Sequence, residues 1–187
     1  ATQAAAPCPH PWLEPGQPPV IMGAGRLQRQ KDFPTLLRAF AQLRRERDCR
    51  LIILGDGGGR AQLTELIAEL GLSASVALPG FQVNPYCWLA RARVFALSSA
   101  WEGSPNVLTE ALALGVPAVA TNCPSGPAEI LNHGQYGRLV AVGAADELAA
   151  ALAATLIAPL PAAVLKAAVS DYEQSYSAAQ YLRILTA

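Results

Sequence analysis

Six short apolar runs alternate along this chain with segments of helical periodicity, and that alternation restricts its fold more than any other feature. The β-leaning runs cover residues 20–22, 51–54, 76–78, 94–97, 116–120 and 138–142. Helical patterns lie between and after them, at 33–47, 60–70, 85–92, 105–114, 127–132 and 145–157. Repeated strand, crossover helix and strand predict an α/β protein with a doubly wound, Rossmann-like parallel sheet of about six strands. With 52% apolar and 15% charged residues in a length of 187, the chain can bury the core that such a sheet needs. Leu36, Leu37, Phe40 and Leu43 repeat at helical spacing and are expected in that core.

The flanks differ in character from residues 20–158, which carry the alternating pattern. Residues 1–19 are rich in proline and read as a linker. Residues 159–187 read as a C-terminal helical tail, where Tyr172, Tyr176, Tyr181, Leu182 and Leu185 form an amphipathic pattern. The uncharged stretch 148–165 is long enough to raise a membrane question, but it is mostly alanine and is broken by Pro159 and Pro161. It is expected to form the end of one helix, a turn and the start of another.

The segment 98–115, SSAWEGSPNVLTEALALG, carries two carboxylates, Glu102 and Glu110, on either side of a Ser-Pro helix start. Ser104 is expected as N-cap and Pro105 as the first helical residue. The amides of Asn106, Val107 and Leu108 would then lack partners within the helix and point from its positive end, which suits an anion. Acids near a helix start also complement its dipole, so the segment alone leaves both readings open. A second patch, GRLQRQKDF at 25–33, follows the first apolar run. Arg26 and Lys31 are thereby expected beyond the carboxyl end of a strand, where parallel sheets hold ligands, with Arg forking onto a phosphate and Lys acting as a point charge. Phosphate flanked by carboxylates that accept bonds from hydroxyls suits a sugar nucleotide.

These patches together resemble the carboxyl-terminal, donor-binding half of GT-B glycosyltransferases, in particular family 4 of the retaining, nucleotide-sugar-dependent enzymes. The resemblance runs through GRLQRQKDFPTLLRAF, LIILGDGGGRAQLTELIAELGL, VALPGF, SSAWEGSPNVLTEALALGVPAVAT and CPSGPAEIL, nearly all of residues 20–140. It implies that Arg26 and Lys31 neutralise a donor diphosphate, that Glu102 contacts the transferred sugar, and that Glu110 binds ribose hydroxyls. By the same resemblance Gly25, Gly55, Phe81, Ser104, Asn106, Val107 and Leu108 join the donor site, and no metal cofactor is required. The family more often has Gly at 105 and an apolar residue at 106. Pro105 and Asn106 resemble instead a subgroup of polysaccharide and lipid-linked oligosaccharide transferases. A UDP-sugar is the expected donor, and a glycan or lipid-linked molecule the expected acceptor, in polysaccharide or lipopolysaccharide synthesis. The implied partner is an amino-terminal acceptor domain of the same enzyme, on which the tail 159–187 would pack and without which transfer is not expected.

Other local features divide between a role and plain structure. The run GDGGG at 55–59 is either a close backbone approach to ligand or a tight turn, and is not the dinucleotide fingerprint, since Arg60 replaces its last small residue. Phe81 is either beside a nucleobase or in the core. Ser125-Gly126-Pro127 reads as another capped helix start that lines a sugar or merely turns the chain. His133 is expected at a helix end, His10 in the linker, and Trp101 either wedges its loop or touches a sugar.

A formal net charge of zero argues against nucleic acid as partner, and the arginines at 38, 44, 45 and 47 read as a solvated helix face, with anionic lipid as the competing use. Cys8, Cys49, Cys87 and Cys123 lack the spacing of a zinc site and point to a reducing, cytoplasmic compartment, with contact to the inner membrane face through the full enzyme. Two further classes share parts of the pattern: a noncatalytic nucleotide-sugar-binding module and a nucleotide-sugar epimerase of GT-B fold.

Overall fold

The computed structural model describes residues 2–172 and 182–183. Six parallel strands form one sheet: β1 (Val20–Ala24), β2 (Arg50–Leu54), β3 (Val76–Gly80), β4 (Val94–Leu97), β5 (Ala118–Thr121) and β6 (Arg138–Val140), in the spatial order β3-β2-β1-β4-β5-β6. The helices are α1 (Thr2–Ala5), α2 (Phe33–Glu46), α3 (Arg60–Glu69), α4 (Tyr86–Leu89), α5 (Asn106–Ala113), α6 (Pro127–Ile130), α7 (Ala145–Ile157) and α8 (Ala162–Ala168). This is the doubly wound sheet that the sequence predicts. Its strand order reverses between β1 and β4, whose pairing aligns Ile21 with Val94 and Met22 with Phe95. Chains leaving these two strands diverge, which opens a crevice at their carboxyl ends.

Both faces of the sheet are covered, and successive strand residues serve opposite cores because strand side chains alternate. Ile21, Leu51, Ile53, Val94 and Val119 pack on one face with Leu36, Leu37 and Phe40 of α2 and Leu148 and Leu152 of α7. Met22, Ile52, Leu54, Phe95 and Leu97 pack on the other with Trp88, Leu108, Leu112 and Leu165. The expected core of α2 is therefore observed in full, with Leu36, Leu37 and Phe40 at 0% exposure.

Several boundaries shift. The helix expected at 85–92 shortens to α4, and β6 ends at Val140 rather than 142. The uncharged stretch does form two helices, α7 and α8, separated at Pro159 and Pro161, and among the described residues no helix is long and apolar enough to cross a membrane. The amino-terminal stretch lies against the domain: the Asn84 amide donates to the Gln3 carbonyl at 2.9 Å, Arg91 donates to the Ala4 carbonyl at 3.4 Å, and Leu13 is buried. His10 accepts from the Trp12 amide at 3.3 Å and sits against Trp88. His133 adopts φ 52° in a short 3-10 turn after α6. Of the arginine cluster, Arg44 pairs with Asp48, which also takes Arg50, and Arg38 is exposed. In the tail, Tyr172 and Leu182 are exposed, while Tyr176, Tyr181 and Leu185 lie outside the described residues.

Candidate functional site

A cavity of about 480 Å³ occupies the crevice at the strand-order reversal. The loop after β1 lines it with Gly25, Arg26 and Lys31, and the loop after β4 with Glu102 and Ser104. Pro105, Asn106, Val107 and Glu110 complete the α5 side, and Gly55, Asp56, Phe81 and Gln82 the side of β2 and β3. Ten of the eleven residues singled out in the sequence thus meet in one cavity; the exception is Leu108.

Two glycines allow the strand ends to close on one another. Gly55 has φ 124°, and a β-carbon there would run into the Gly25 carbonyl. Gly25 has φ 152°, and a β-carbon there would stand 2.9 Å from Lys31 Cε. The Lys31 stem therefore lies flat across bare backbone. The rest of the glycine run divides: Gly55 and Asp56 face the cavity, whereas Gly57 and Gly59 pack against the Leu27 backbone. Asp56 is held by Arg60 at 3.0 Å and by the Gly57 amide at 2.9 Å, and these bonds draw its carboxyl below the usual range.

Lys31 and Glu102 form an ion pair at 2.5 Å, with their side chains only 15% and 5% exposed. Ser99 Oγ donates to the same carboxylate oxygen at 2.6 Å. Lys31, expected with Arg26 at a diphosphate, thus lines the cavity already paired with Glu102. Lys31 is already engaged with a buried carboxylate, because an unpaired charge at that depth would be costly. The Arg26 side chain has no hydrogen-bond or ion-pair partner among the described residues, and the residue is exposed at the cavity lip.

The helix start also differs in detail. α5 begins at Asn106, Pro105 occupies the N-cap position, and no side chain caps the helix, so Ser104 is not the N-cap. The Asn106 amide is bonded to the Ser104 carbonyl at 2.9 Å and the Leu108 amide to the Pro105 carbonyl at 2.8 Å. Leu108 itself is fully buried in the core, so it leaves the site. Of the three amides expected to be open, that of Val107 alone has no backbone acceptor among the described residues. With φ −75° and ψ 78° at Pro105 the chain enters by an inverse γ-turn, and this entry uses two donors before the helix proper begins.

Glu110 lies in the second turn of α5, where Tyr86 Oη donates to its Oε1 at 3.4 Å. The Glu110 charge, followed by partial burial, raises the Tyr86 phenol above its ordinary value. Phe81 is 75% exposed at the cavity wall rather than in the core. Trp101 is 47% exposed and is not among the residues lining the cavity, and its backbone carbonyl accepts from Gln30 at 3.0 Å. Ser125 is not a side-chain cap and α6 does not reach the cavity; Gly126 instead abuts Pro105, where a β-carbon would stand 2.5 Å from its Cδ. Ser99 and Tyr86 escape a reading of the sequence. Ser99 stands three residues before Glu102 and is legible only once the loop is seen to fold back, and Tyr86 meets Glu110 only through packing of α4 on α5.

Residues 9–169 match the family model for Glycosyl transferases group 1. The chain belongs to this family. Among curated relatives, a glycosyltransferase of lipopolysaccharide core biosynthesis from Rhizobium meliloti, LpsE, is 37% identical over 74% of this chain and 39% of its own length. An N-acetylgalactosaminyltransferase acting on a diphospho-undecaprenol-linked saccharide in Campylobacter jejuni is 41% identical over 65% of this chain and 33% of its own length. This group 1 domain thus spans 33–39% of the length of those two relatives. Among solved structures, the lipopolysaccharide outer core galactosyltransferase WaaB superposes with a TM-score of 0.78 at 26% identity, over 87% of this chain and 47% of that one. The Anabaena protein HepE in complex with UDP-glucose superposes with a TM-score of 0.74 at 28% identity, over 82% of this chain and 43% of that one. The likeness to a GT-B carboxyl-terminal domain read from the motifs agrees with the family, the relatives and the fold.

Proposed function

We propose that this chain is the donor-binding domain of a retaining glycosyltransferase that uses a nucleoside diphosphate sugar, with UDP as the nucleotide. One observation carries the reading: an unpartnered arginine, two carboxylates and a helix start face a single cavity at the point where the sheet reverses. The UDP-glucose complex of HepE supports the nucleotide. In this reading Arg26 and the Val107 amide receive the diphosphate, and Lys31 adds a second positive charge from beside Glu102. Glu110 accepts from the ribose hydroxyls and Glu102 from hydroxyls of the sugar.

The chemistry follows from where charge develops. As the bond from sugar to diphosphate breaks, the leaving group gathers negative charge and the sugar becomes oxocarbenium-like. Fixed positive groups at the diphosphate stabilise that state more than the ground state. Arg26 and Lys31 supply this without a divalent ion. The acceptor, a glycan or lipid-linked saccharide by analogy with the relatives' names, binds on a domain outside this chain, so the domain alone holds donor without turnover. Four free thiols support a cytoplasmic setting.

Calorimetry of the chain with UDP, uridine and UDP-glucose in EDTA tests the reading. UDP is expected to bind, and Arg26→Ala to weaken it by roughly ten- to a hundredfold with the fold unchanged, as for a lost charge-assisted contact. Equal affinity for uridine and UDP, or a requirement for magnesium, would overturn it.

A further inference from the structure

We infer that Ser99 is a positioning residue for Glu102, fixing which of its carboxylate oxygens meets the donor sugar; the inference rests on the donor-site reading above. Ser99 is completely buried, beneath the cavity floor rather than on its wall. It is therefore not a ligand group itself. Its hydroxyl and the Lys31 ammonium both address Oε1 of Glu102, at 2.6 and 2.5 Å. Two donors converging on one oxygen fix both the rotation of the carboxylate and its distance from the floor, and leave Oε2 to accept from a ligand hydroxyl.

The donors are themselves anchored. Thr121, at the end of β5 and also fully buried, donates to the Ser99 carbonyl at 2.5 Å. Ser98 Oγ donates to the Lys31 carbonyl at 2.7 Å, and the Ala100 amide donates to the Gln30 carbonyl at 2.8 Å. Loops from β1, β4 and β5 are thus tied around one carboxylate, where a freely rotating Glu would lose orientation entropy on binding. The Lys31 pair alone leaves the carboxylate free to pivot about the ammonium. The Ser99 bond removes that pivot.

The test compares UDP with UDP-glucose by calorimetry in wild type, Ser99→Ala, Ser99→Cys, Glu102→Gln and Ser99→Ala/Glu102→Gln. Ser99→Ala is expected to lower the ratio of UDP-glucose to UDP affinity by about three- to tenfold while UDP affinity stays within about twofold. Ser99→Cys keeps the shape but is a poor donor, and should reproduce the loss if Ser99→Ala proves unstable. The double variant should match Glu102→Gln, because Ser99 acts only through that carboxylate. An unchanged ratio in both Ser99 variants beside a reduced ratio in Glu102→Gln overturns the role of Ser99 and leaves the donor site intact. A ratio unmoved by Glu102→Gln overturns the sugar-facing role of Glu102 and the inference with it. A parallel loss of UDP and UDP-glucose in a folded Ser99→Ala marks Ser99 as part of the scaffold only.

Discussion

Glu102 reaches the cavity from the loop after β4 with its side chain 5% exposed and two donors on one oxygen, whereas Glu110 reaches it from α5 with one phenol at 3.4 Å. The first is fixed before any ligand arrives, since its burial demands a counter-charge and its loop is tied to β1 and β5. The second stands at a helix surface and can turn. A group whose orientation decides which atoms react gains most from being fixed in advance, while a group that supplies affinity can adjust. Under the proposed donor-site reading, this contrast assigns the sugar to the Glu102 side and the nucleoside to the Glu110 side.

The largest effect should come from breaking the fixed side. Lys31→Ala leaves a carboxylate buried without its cation, which costs about 3 kcal/mol and lowers Tm by roughly 6–12 °C. Lys31→Met with Glu102→Gln removes both charges, and should restore most of that Tm because no unpaired charge remains. Thermal unfolding of the single and double variants measures this directly. Were Lys31→Ala as stable as wild type, the pair would be an exposed contact of little worth, and the contrast between the two sides would collapse.

How much of this was legible in the sequence varies with the range of the interaction. The sheet, both cores and the break at Pro159 and Pro161 follow from periodicity and backbone restriction, which act within a few residues. The convergence of Arg26, Lys31, Glu102 and Glu110 was implied by the family resemblance of their two motifs, because alternation alone is compatible with more than one strand order. The ion pair between Lys31 and Glu102 did not follow, because it depends on how two loops 71 residues apart fold over Gly25. The helix start failed for a local reason: Ser-Pro has the composition of a capped start, but the backbone at Pro105 turned tightly and consumed the amides of Asn106 and Leu108. Tyr86 was hidden because α4 is a single turn whose direction no periodicity records.

A smaller effect should appear on the adjustable side. Glu110→Gln keeps the shape of the side chain but removes the charge that strengthens its hydroxyl contacts. UDP and UDP-glucose should both weaken by about five- to tenfold, with the ratio between them unchanged. Glu102→Gln should do the reverse, leaving UDP nearly unaltered and lowering the ratio. Calorimetry of the two variants with the two ligands separates the cases. A ratio that moved equally in both would mean that the carboxylates share one task and that their different surroundings are a matter of stability alone.

The smallest effect belongs to Tyr86, whose bond to Glu110 is long and partly solvated. Tyr86→Phe should change UDP affinity by less than about threefold and leave Tm nearly unaltered at neutral pH. Its signature lies in alkali. The Glu110 charge and partial burial raise the phenol above its ordinary 10.0, so the folded chain keeps this proton at a pH where the unfolded chain has begun to lose it. The unfolded state then binds fewer protons than the native state, and stability falls as pH rises from about 10 through the native value, with no contribution below. The thiols of buried Cys49, pushed up to about 11, and of half-buried Cys8, to about 12, act in the same direction from lower pH, starting near 9.0. The informative quantity is therefore the difference between wild type and Tyr86→Phe in urea unfolding at a series of pH values from 8 to 11. The variant should lose stability less steeply above pH 10 and run parallel below it. Identical slopes throughout would mean that the phenol does not feel Glu110, and that the adjustable carboxylate has no partner worth the name.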